Sequence, residues 1–119
     1  MKYMLLIYGN DDTWNALHDE GIEQVLDRHR QLTEELKAKG EYLDGLGLTT
    51  ANARVVRVND GVAAVTDGPF TESKEWIAGF DVIECADWNE AIEVASKHPM
   101  ARFGRIELRR AWPLGSAEE

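Results

Sequence analysis

The sequence predicts a single α+β domain of ferredoxin-like order, in which two strand–helix–strand units share one sheet and a β-hairpin is inserted between them. Two observations lead to this prediction. Apolar runs typical of strands alternate along the chain with segments of helical periodicity. An Asn-Asp-Gly turn between two further strand-like segments adds the hairpin. The 119 residues fit one domain, so we assign residues 1–119 to it and expect residues 113–119 to be a frayed tail.

The first strand and the first helix have the clearest patterns. Residues 2–8 form an apolar run before Gly9-Asn10, which is typical of a strand buried on both faces. Residues 20–39 predict a helix, because apolar side chains recur every three or four positions and Gly40 supplies a C-terminal stop. One layer of helices covers only one face of a sheet, so another element must cover the second face of this strand.

The middle of the chain predicts short strands. Residues 42–48 form a plausible strand, although Gly45 and Gly47 weaken the pattern. Residues 54–58 and 62–66 flank the Asn-Asp-Gly turn, which tolerates the positive φ angles of a tight hairpin. We therefore expect a β-hairpin here.

The last third repeats the strand–helix–strand order. Residues 77–85 predict a strand after a break at Asp67-Gly68-Pro69-Phe70. A second helix begins after Asp87 and ends at Pro99, with a buried face formed by Ala91, Ile92 and Ala95. Residues 105–112 alternate between polar and apolar types, which predicts a half-exposed strand near a sheet edge.

The charge limits the classes of partner. The formal net charge is −9, so phosphate backbones and anionic membranes are repelled, and we expect neither a nucleic-acid nor a membrane partner. The apolar start lacks a small-residue cleavage site before Asp11-Asp12, and no apolar run approaches the ~20 residues of a membrane helix. These features predict a cytoplasmic protein. The single cysteine, Cys85, is expected to be a buried hydrophobic residue rather than a nucleophile.

Three segments resemble the family of DGPF-domain, YCII-related proteins. They are residues 2–9 (KYMLLIYG), the block Asp67-Gly68-Pro69-Phe70, and the residues after it, namely Glu72, Lys74-Glu75 and Gly79-Phe80. The resemblance implies a ferredoxin-like protomer that pairs face to face into a dimeric α+β barrel, and hence a homodimer. Such pairing would cover the second face of the first strand. The wider superfamily includes isomerases, monooxygenases and a dehydrochlorinase that acts on a chlorinated hydroxyhydroquinone.

The YCII-related pattern has a histidine on the first helix and an aspartate just before a proline late in the chain. His29 matches the histidine, whereas His98 precedes Pro99 where the pattern has aspartate. The resemblance therefore implies that Asp67 or another carboxylate pairs with His29. A titratable ring in the apolar stripe of a helix is a candidate general acid–base. The alternative is a core histidine whose hydrogen bonds are satisfied.

Further candidate site residues come from the segments of the resemblance and from the helix and strand ends. Asp67 is the first candidate partner of His29, and its alternative role is that of a turn former before Gly68-Pro69. The predicted ligand-binding residues are Phe70, Lys74, Trp76, His98 and Arg109. Alternatively, Phe70 packs in the core, Lys74 lies in an exposed charged loop, and Trp76 packs at the dimer contact. The alternative for His98 is a favourable cation at a helix C-terminus, and for Arg109 a solvated edge charge.

No cofactor and no metal are expected. The three histidines lack ligand spacing, and the sequence contains no phosphate loop, dinucleotide fingerprint or nucleophile elbow. We expect an enzyme that uses a pocket histidine for acid–base chemistry on a compact cyclic or phenolic substrate, as a dehydrochlorinase or isomerase does. The alternative is a non-catalytic ligand-binding or regulatory module. The resemblance connects that alternative to extracytoplasmic-function sigma factor pathways, because some family members are encoded beside such factors.

Overall fold

Six strands and four helices follow one another within residues 1–68 and 75–112, which the computed structural model describes. They are β1 (Lys2–Gly9), α1 (Asp11–Glu20), α2 (Ile22–Ala38), β2 (Tyr42–Gly47), β3 (Arg54–Asn59), β4 (Val62–Asp67), β5 (Trp76–Glu84), α3 (Trp88–Lys97), α4 (Met100–Phe103) and β6 (Arg105–Arg110). None of these helices is long and apolar enough to cross a membrane. The predicted strands, the hairpin and the two long helices are confirmed.

The main sheet has the strand order β2-β5-β1-β6, and all neighbouring strands are antiparallel. With the hairpin left out, this is the strand order of a ferredoxin-like fold. β1 and β5 are central, so each is paired on both sides, whereas β2 and β6 form the edges. The prediction that the last strand lies at a sheet edge is therefore confirmed.

The helices α2 and α3 cover one face of the sheet with apolar stripes. In α2 the buried residues are Val25, Leu32 and Leu36, which lie on one side of the helix because their spacings are close to whole turns. Asp87 caps α3 by accepting a hydrogen bond from the backbone N–H of Glu90, at 2.9 Å. The buried stripe of α3 is Ala91, Val94 and Ala95.

The prediction that Ile92 belongs to that buried stripe is wrong. Ile92 is 53% exposed, because one residue after Ala91 the helix has turned by about 100° and the side chain points away from the sheet. Cys85, in contrast, is buried in the core with Tyr3, Leu5 and Ile83, as predicted. Burial raises the pKa of its thiol to about 11, which keeps it protonated and unreactive.

The sequence patterns did not predict α1 and α4. α1 buries only Leu17, so its apolar periodicity is too weak to identify it. Its start is set locally, because the side chain of Asn10 accepts from the backbone N–H of Thr13 while the Thr13 hydroxyl accepts from the backbone N–H of Asn10. Gly21, with φ at 107°, separates α1 from α2. α4 is a single turn after Pro99.

Within one protomer only one face of β1 is buried, so the predicted burial of its second face depends on pairing with another protomer. Tyr3, Leu5 and Ile7 lie under the helices, whereas the alternate residues point to the other face and are only half-buried. On that face Met4 pairs with Val82, and Leu6 pairs with Phe80. Directly paired residues share a face, so these four apolar side chains form the centre of an open sheet face.

The hairpin β3–β4 is a separate two-stranded sheet. Its tip is Asp60-Gly61, where both residues have positive φ, at 50° and 77°. This is the backbone geometry of the tight hairpin turns that match the twist of the strands. Nearly all side chains of the hairpin are exposed, including Val56, Val58 and Val65. The local stability of the hairpin therefore depends on the turn and on its own cross-strand pairs.

The turn can be tested by replacing Gly61 with Val. We expect the hairpin to lose about 1–2 kcal/mol of local stability, because a β-branched side chain is strained at positive φ. The neighbourhood is not crowded, since no atom lies within 4 Å of a Cβ built at Gly61. Faster hydrogen exchange at the amides of β3 and β4, with unchanged exchange in β1 and β5, is the expected result.

Gly61→Asn is the matched control, because asparagine tolerates positive φ better than valine does. It should retain most of the amide protection. Equal protection in the Val and Asn variants would show that the turn does not have the assigned backbone geometry.

Candidate functional site

A cleft of about 610 Å³ lies between α1 and α2 on one side and β2 and β5 on the other. The turn that follows α3 closes one end of it. Most of its walls are apolar, and the large apolar lining residues are Ile7, Trp14, Leu17, Ile22, Val25, Leu26, Leu46, Leu48, Phe80 and Met100. Four polar side chains line the same cleft, namely His29, Tyr42, Asp81 and His98.

Each polar side chain is placed by a different element. His29 lies one turn after Val25 and one turn before Leu32 on the sheet-facing stripe of α2. Asp81 lies on β5 between the buried Gly79 and Ile83, so it points towards the helices. Tyr42 begins β2, and His98 is the C-terminal cap residue of α3.

Asp81 is at the centre of this group. Its Oδ1 accepts a hydrogen bond from the Tyr42 hydroxyl at 3.2 Å. Its Oδ2 lies 3.2 Å from Nε2 of His98 and 3.6 Å from Nε2 of His29. The two imidazole rings meet edge to face, with their centroids 4.9 Å apart. We call Asp81, Tyr42, His29 and His98 the carboxylate cluster.

The protonation of His98 follows from its backbone contact. The N–H of Met100 donates to Nδ1 of His98 at 3.1 Å, so Nδ1 carries a lone pair and the ring proton of the neutral form is on Nε2. This Nε2 is buried and makes no well-aligned hydrogen bond within the described structure, but it lies beside Oδ2 of Asp81. The His98 ring therefore directs its Nε2–H edge at the carboxylate.

The cluster keeps Asp81 ionised. Burial by itself would raise the pKa of Asp81, but the adjoining His29 and His98 rings lower it, and the net effect is a pKa well below the usual range of an aspartate. Burial and the negative charge of Asp81 together raise the pKa of Tyr42 to about 12. The Tyr42 hydroxyl is therefore protonated at neutral pH and acts as a donor.

A bulge in β2 and a glycine make room for this arrangement. The register with β5 shifts between Tyr42 and Asp44, so Tyr42 and Gly45 project towards the same side of the sheet. Gly45 is paired with Asp81. A Cβ at Gly45 would overlap both the Tyr42 hydroxyl and Oδ1 of Asp81, so only glycine leaves space for the hydrogen bond between them.

The cluster resembles a metal site in its composition. The potential ligand atoms of His29, Asp81 and His98 all lie within 4.8 Å of one another. A metal on Nε2 of His98 would require the ring proton on Nδ1. That nitrogen already accepts from the N–H of Met100, so the two donors would face each other. The donor set therefore fits a hydrogen-bonded carboxylate better than a metal ion.

His29 is the member of the cluster that a ligand can reach. Its side chain is 37% exposed, whereas those of Asp81 and His98 are 8% and 2% exposed. One edge of its ring faces Asp81, and no described group hydrogen-bonds Nδ1 on the other edge. The 3.6 Å separation is longer than a hydrogen bond, but contacts of this kind are often long in ligand-free sites. The arrangement can hold an imidazole ready to exchange a proton.

The structure brings together two of the predicted site residues, His29 and His98. Asp67 lies instead at the end of β4, where it is exposed and opposite Arg54 in the strand register. The carboxylate that contacts His29 is Asp81, so the expected pairing of His29 with Asp67 is wrong. Trp76 and Arg109 also lie outside the lining of the cleft. Trp76 begins β5 opposite Gly9.

Arg109 is exposed on β6, 3.4 Å from Glu107, as a solvated edge pair. The two other predicted binding residues, Phe70 and Lys74, lie outside the described residues. For these two residues a ligand-binding role stays a prediction.

The sequence patterns did not identify Asp81, Tyr42 or Gly45 as site residues. The sequence did contain one indication for Asp81. It is a lone carboxylate between Gly79 and Ile83, at alternate positions of a strand whose side chains on that face are buried. Burial of an unpaired charge is costly, so its position indicates partners elsewhere in the fold. Tyr42 carried no such signal, because its role depends on the bulge in β2.

Comparison with known proteins identifies related chains and a related fold. Residues 1–114 match the family model of the YCII-related domain. An uncharacterised protein of Rhizobium meliloti (strain 1021) is 33% identical over 97 residues, which cover 80% of this chain and 77% of that protein. A similar solved structure is the 5-chloro-2-hydroxyhydroquinone dehydrochlorinase of Burkholderia phenoliruptrix AC1100 in complex with 2,5-dihydroxybenzoquinone. It superposes with a TM-score of 0.55 at 17% identity, over 97% of this chain and 96% of that one.

The ionised state of Asp81 predicts a specific pH dependence of stability. Its folded-state pKa is lowered, so the carboxylate stabilises the fold above its unfolded pKa of about 3.9, and this contribution is lost as the pH falls through the lower folded value. Asp81→Asn should therefore reduce the unfolding free energy at neutral pH by about 1–3 kcal/mol. The deficit should shrink as the pH is lowered below about 4.

Urea denaturation at a series of pH values measures this difference. Asp67→Asn is the control, because it removes an exposed carboxylate outside the cluster. A deficit in Asp81→Asn that stays constant down to the lowest pH would show that the charge of Asp81 does not contribute to folding.

Proposed function

The chain belongs to the family of YCII-related domain proteins, and we propose that it is a small-molecule enzyme in which His29 transfers a proton to or from a compact cyclic or phenolic substrate. The observation that carries this proposal is the contact between His29 and the buried carboxylate of Asp81 at a ligand-sized cleft. An imidazole that a carboxylate orients from one side and a ligand can reach from the other is a suitable general base.

The roles of the cluster follow from its charges. With the Nε2 proton of His29 directed at Asp81, Nδ1 has a free lone pair and accepts a proton from a hydroxyl or an activated carbon of the substrate. The imidazolium that forms is stabilised by the negative charge of Asp81. Tyr42 and His98 donate towards the same carboxylate and fix its orientation. They are positioning residues, since they act on His29 and the ligand through the carboxylate of Asp81.

The cleft supports a ring-shaped substrate. Its volume of about 610 Å³ lies within the usual range for small-molecule sites. The apolar walls exclude water from a bound ring, so the charge that develops during proton transfer interacts more strongly with the cluster than it would in water. The likeness in fold to a dehydrochlorinase bound to a benzoquinone supports the same class of ligand.

We further propose that two protomers pair through the open sheet face. Met4, Leu6, Phe80 and Val82 form its apolar centre, and the helices of the same protomer do not cover it. Interfaces of obligate dimers have apolar centres of this kind. Pairing of two such faces gives the dimeric α+β barrel.

Replacing His29 tests the acid–base role. His29→Asn should lower turnover by about 100-fold or more, because the amide can hydrogen-bond but cannot exchange a proton. The measurement is NMR in D₂O with a panel of hydroquinones and chlorinated hydroquinones, following deuterium incorporation at ring carbons and release of chloride. Reactions without protein give the background.

Two variants sharpen the result. His18→Asn removes an exposed histidine outside the carboxylate cluster. It should lower turnover far less than His29→Asn does, because it removes only a ring contact with Trp14. His29→Leu should be as inactive as His29→Asn, and circular dichroism should show that both are folded. If His29→Leu turns over substrate like the wild type, His29 is a packing residue and the proposed function is wrong. Ligand binding without any turnover would instead favour a non-catalytic binding module.

Light scattering coupled to size exclusion tests the dimer. The wild type should have the mass of two chains at low micromolar concentration, and Leu6→Glu should be monomeric, because it places a charge at the centre of an apolar interface. Ile92→Glu is the matched control, since it adds the same charge to an exposed apolar position on the helical side. A monomeric wild type, or a Leu6→Glu variant that stays dimeric, would rule out pairing through this face.

A further inference from the structure

The lining of the cleft holds almost no charge that a ligand can use. Neither lysine nor arginine occurs among the described residues that line it. The formal charges are the negative charge of Asp81 and, when the ring is doubly protonated, the positive charge of His29. His98 is buried, with its Nδ1 accepting from the N–H of Met100 and its Nε2 beside Asp81, so it offers a ligand no accessible group. The described lining therefore has one fixed negative charge and no fixed positive charge.

The negative charge is also out of direct reach of a ligand. The side chain of Asp81 is only 8% exposed, and its oxygens already face Tyr42, His29 and His98. A cationic ligand cannot replace these contacts at short range. The carboxylate still repels an anion through the low-dielectric interior, where charges act over longer distances than in water. The whole chain adds to this repulsion, because its net charge is −9.

The mouth of the cleft favours apolar ligands. Trp14, Leu26, Leu46 and Leu48 line it and are each about half exposed, between 48% and 60%. Large apolar side chains grouped at an opening mark a binding surface rather than a solvated one. A ring that enters between them buries apolar surface on both sides.

We propose that this cleft selects compact, uncharged ring compounds, such as neutral phenols and quinones, and discriminates against their carboxylated analogues. This inference rests on the proposed function for the location of the site, but it concerns binding and not catalysis. The recognition elements are the apolar mouth and the exposed edge of His29, which hydrogen-bonds a hydroxyl or carbonyl. A carboxylate group finds no counter-ion in the described lining and loses its hydration on entry.

Three probe ligands that share one ring test the proposal. They are hydroquinone, 2,5-dihydroxybenzamide and 2,5-dihydroxybenzoate, where the amide and the carboxylate have nearly the same shape and differ in charge. Ligand-observed NMR titrations of the full chain near neutral pH, where the amide is largely uncharged and the carboxylate is ionised, measure the three dissociation constants. We expect the amide to bind about as well as hydroquinone and the carboxylate to bind about tenfold or more weakly than the amide. Equal binding of amide and carboxylate, or no binding of either neutral ligand, would overturn the proposal.

A variant that adds the missing cation gives an independent check. Leu26 lines the cleft from α2 and is 53% exposed, so a charged side chain is tolerated there. Leu26→Lys should strengthen binding of the carboxylate by about two- to fivefold relative to Leu26→Gln, as expected for an exposed ion pair. The amide should bind the two variants equally, since both lose the same apolar contact. If the two variants bind the carboxylate equally, charge at the mouth does not control selection.

Binding and turnover separate this inference from the proposed function. In the His29→Asn protein the preference for the amide over the carboxylate should persist or increase, because the titratable base that a ligand can reach has been removed. Lost turnover with a retained preference supports both proposals. If the His29→Asn protein keeps both turnover and this preference, the acid–base role of His29 is ruled out and the selection of uncharged ligands is not. If the protein loses the preference for the amide, only the selection of uncharged ligands is ruled out.

Discussion

The buried carboxylate of Asp81 is the constraint on which the rest of the site depends. A side chain this far from water stays ionised only when donors compensate for its lost hydration. Those donors come from three elements that are distant in sequence: Tyr42 on β2, His29 on α2 and His98 at the end of α3. Each element must keep its position on the sheet for the charge to be stabilised. Packing of the core and chemistry in the cleft are therefore coupled through one residue.

The edge strand β2 shows how closely the backbone is adapted to that charge. A regular strand would place alternate residues on the helical side, which excludes having both Tyr42 and Gly45 there. The bulge changes the alternation, so the tyrosine reaches Asp81 while the glycine opposite Asp81 leaves space for the hydroxyl. Bulges that aim a side chain at a site are common near functional centres. Gly45, one of the two glycines that weaken the strand pattern in the sequence, is thus required for the hydrogen bond between Tyr42 and Asp81.

Local patterns predicted most of the fold, because β1, α2, the hairpin and α3 each carry their own periodicity, turn or cap. α1 escaped prediction because its contact with the rest of the chain is limited mainly to Leu17. The site was predictable only in part. His29 stands out as a titratable residue in an apolar stripe, but its partner depends on which strand lies beneath α2, and that is set by the order of strands in the sheet. No spacing along the chain specifies the pairing of His29 with Asp81.

The position of His98 explains why the pairing could change without loss of the cluster. The YCII-related pattern has an aspartate before the late proline, and this chain has His98 before Pro99. Nε2 of His98 lies 3.2 Å from Oδ2 of Asp81. An aspartate at this position would instead add a second carboxylate near a buried negative charge, and like charges disfavour each other's ionised form. With Asp81 on β5, a histidine before Pro99 avoids that repulsion, and the single negative charge beside His29 is preserved.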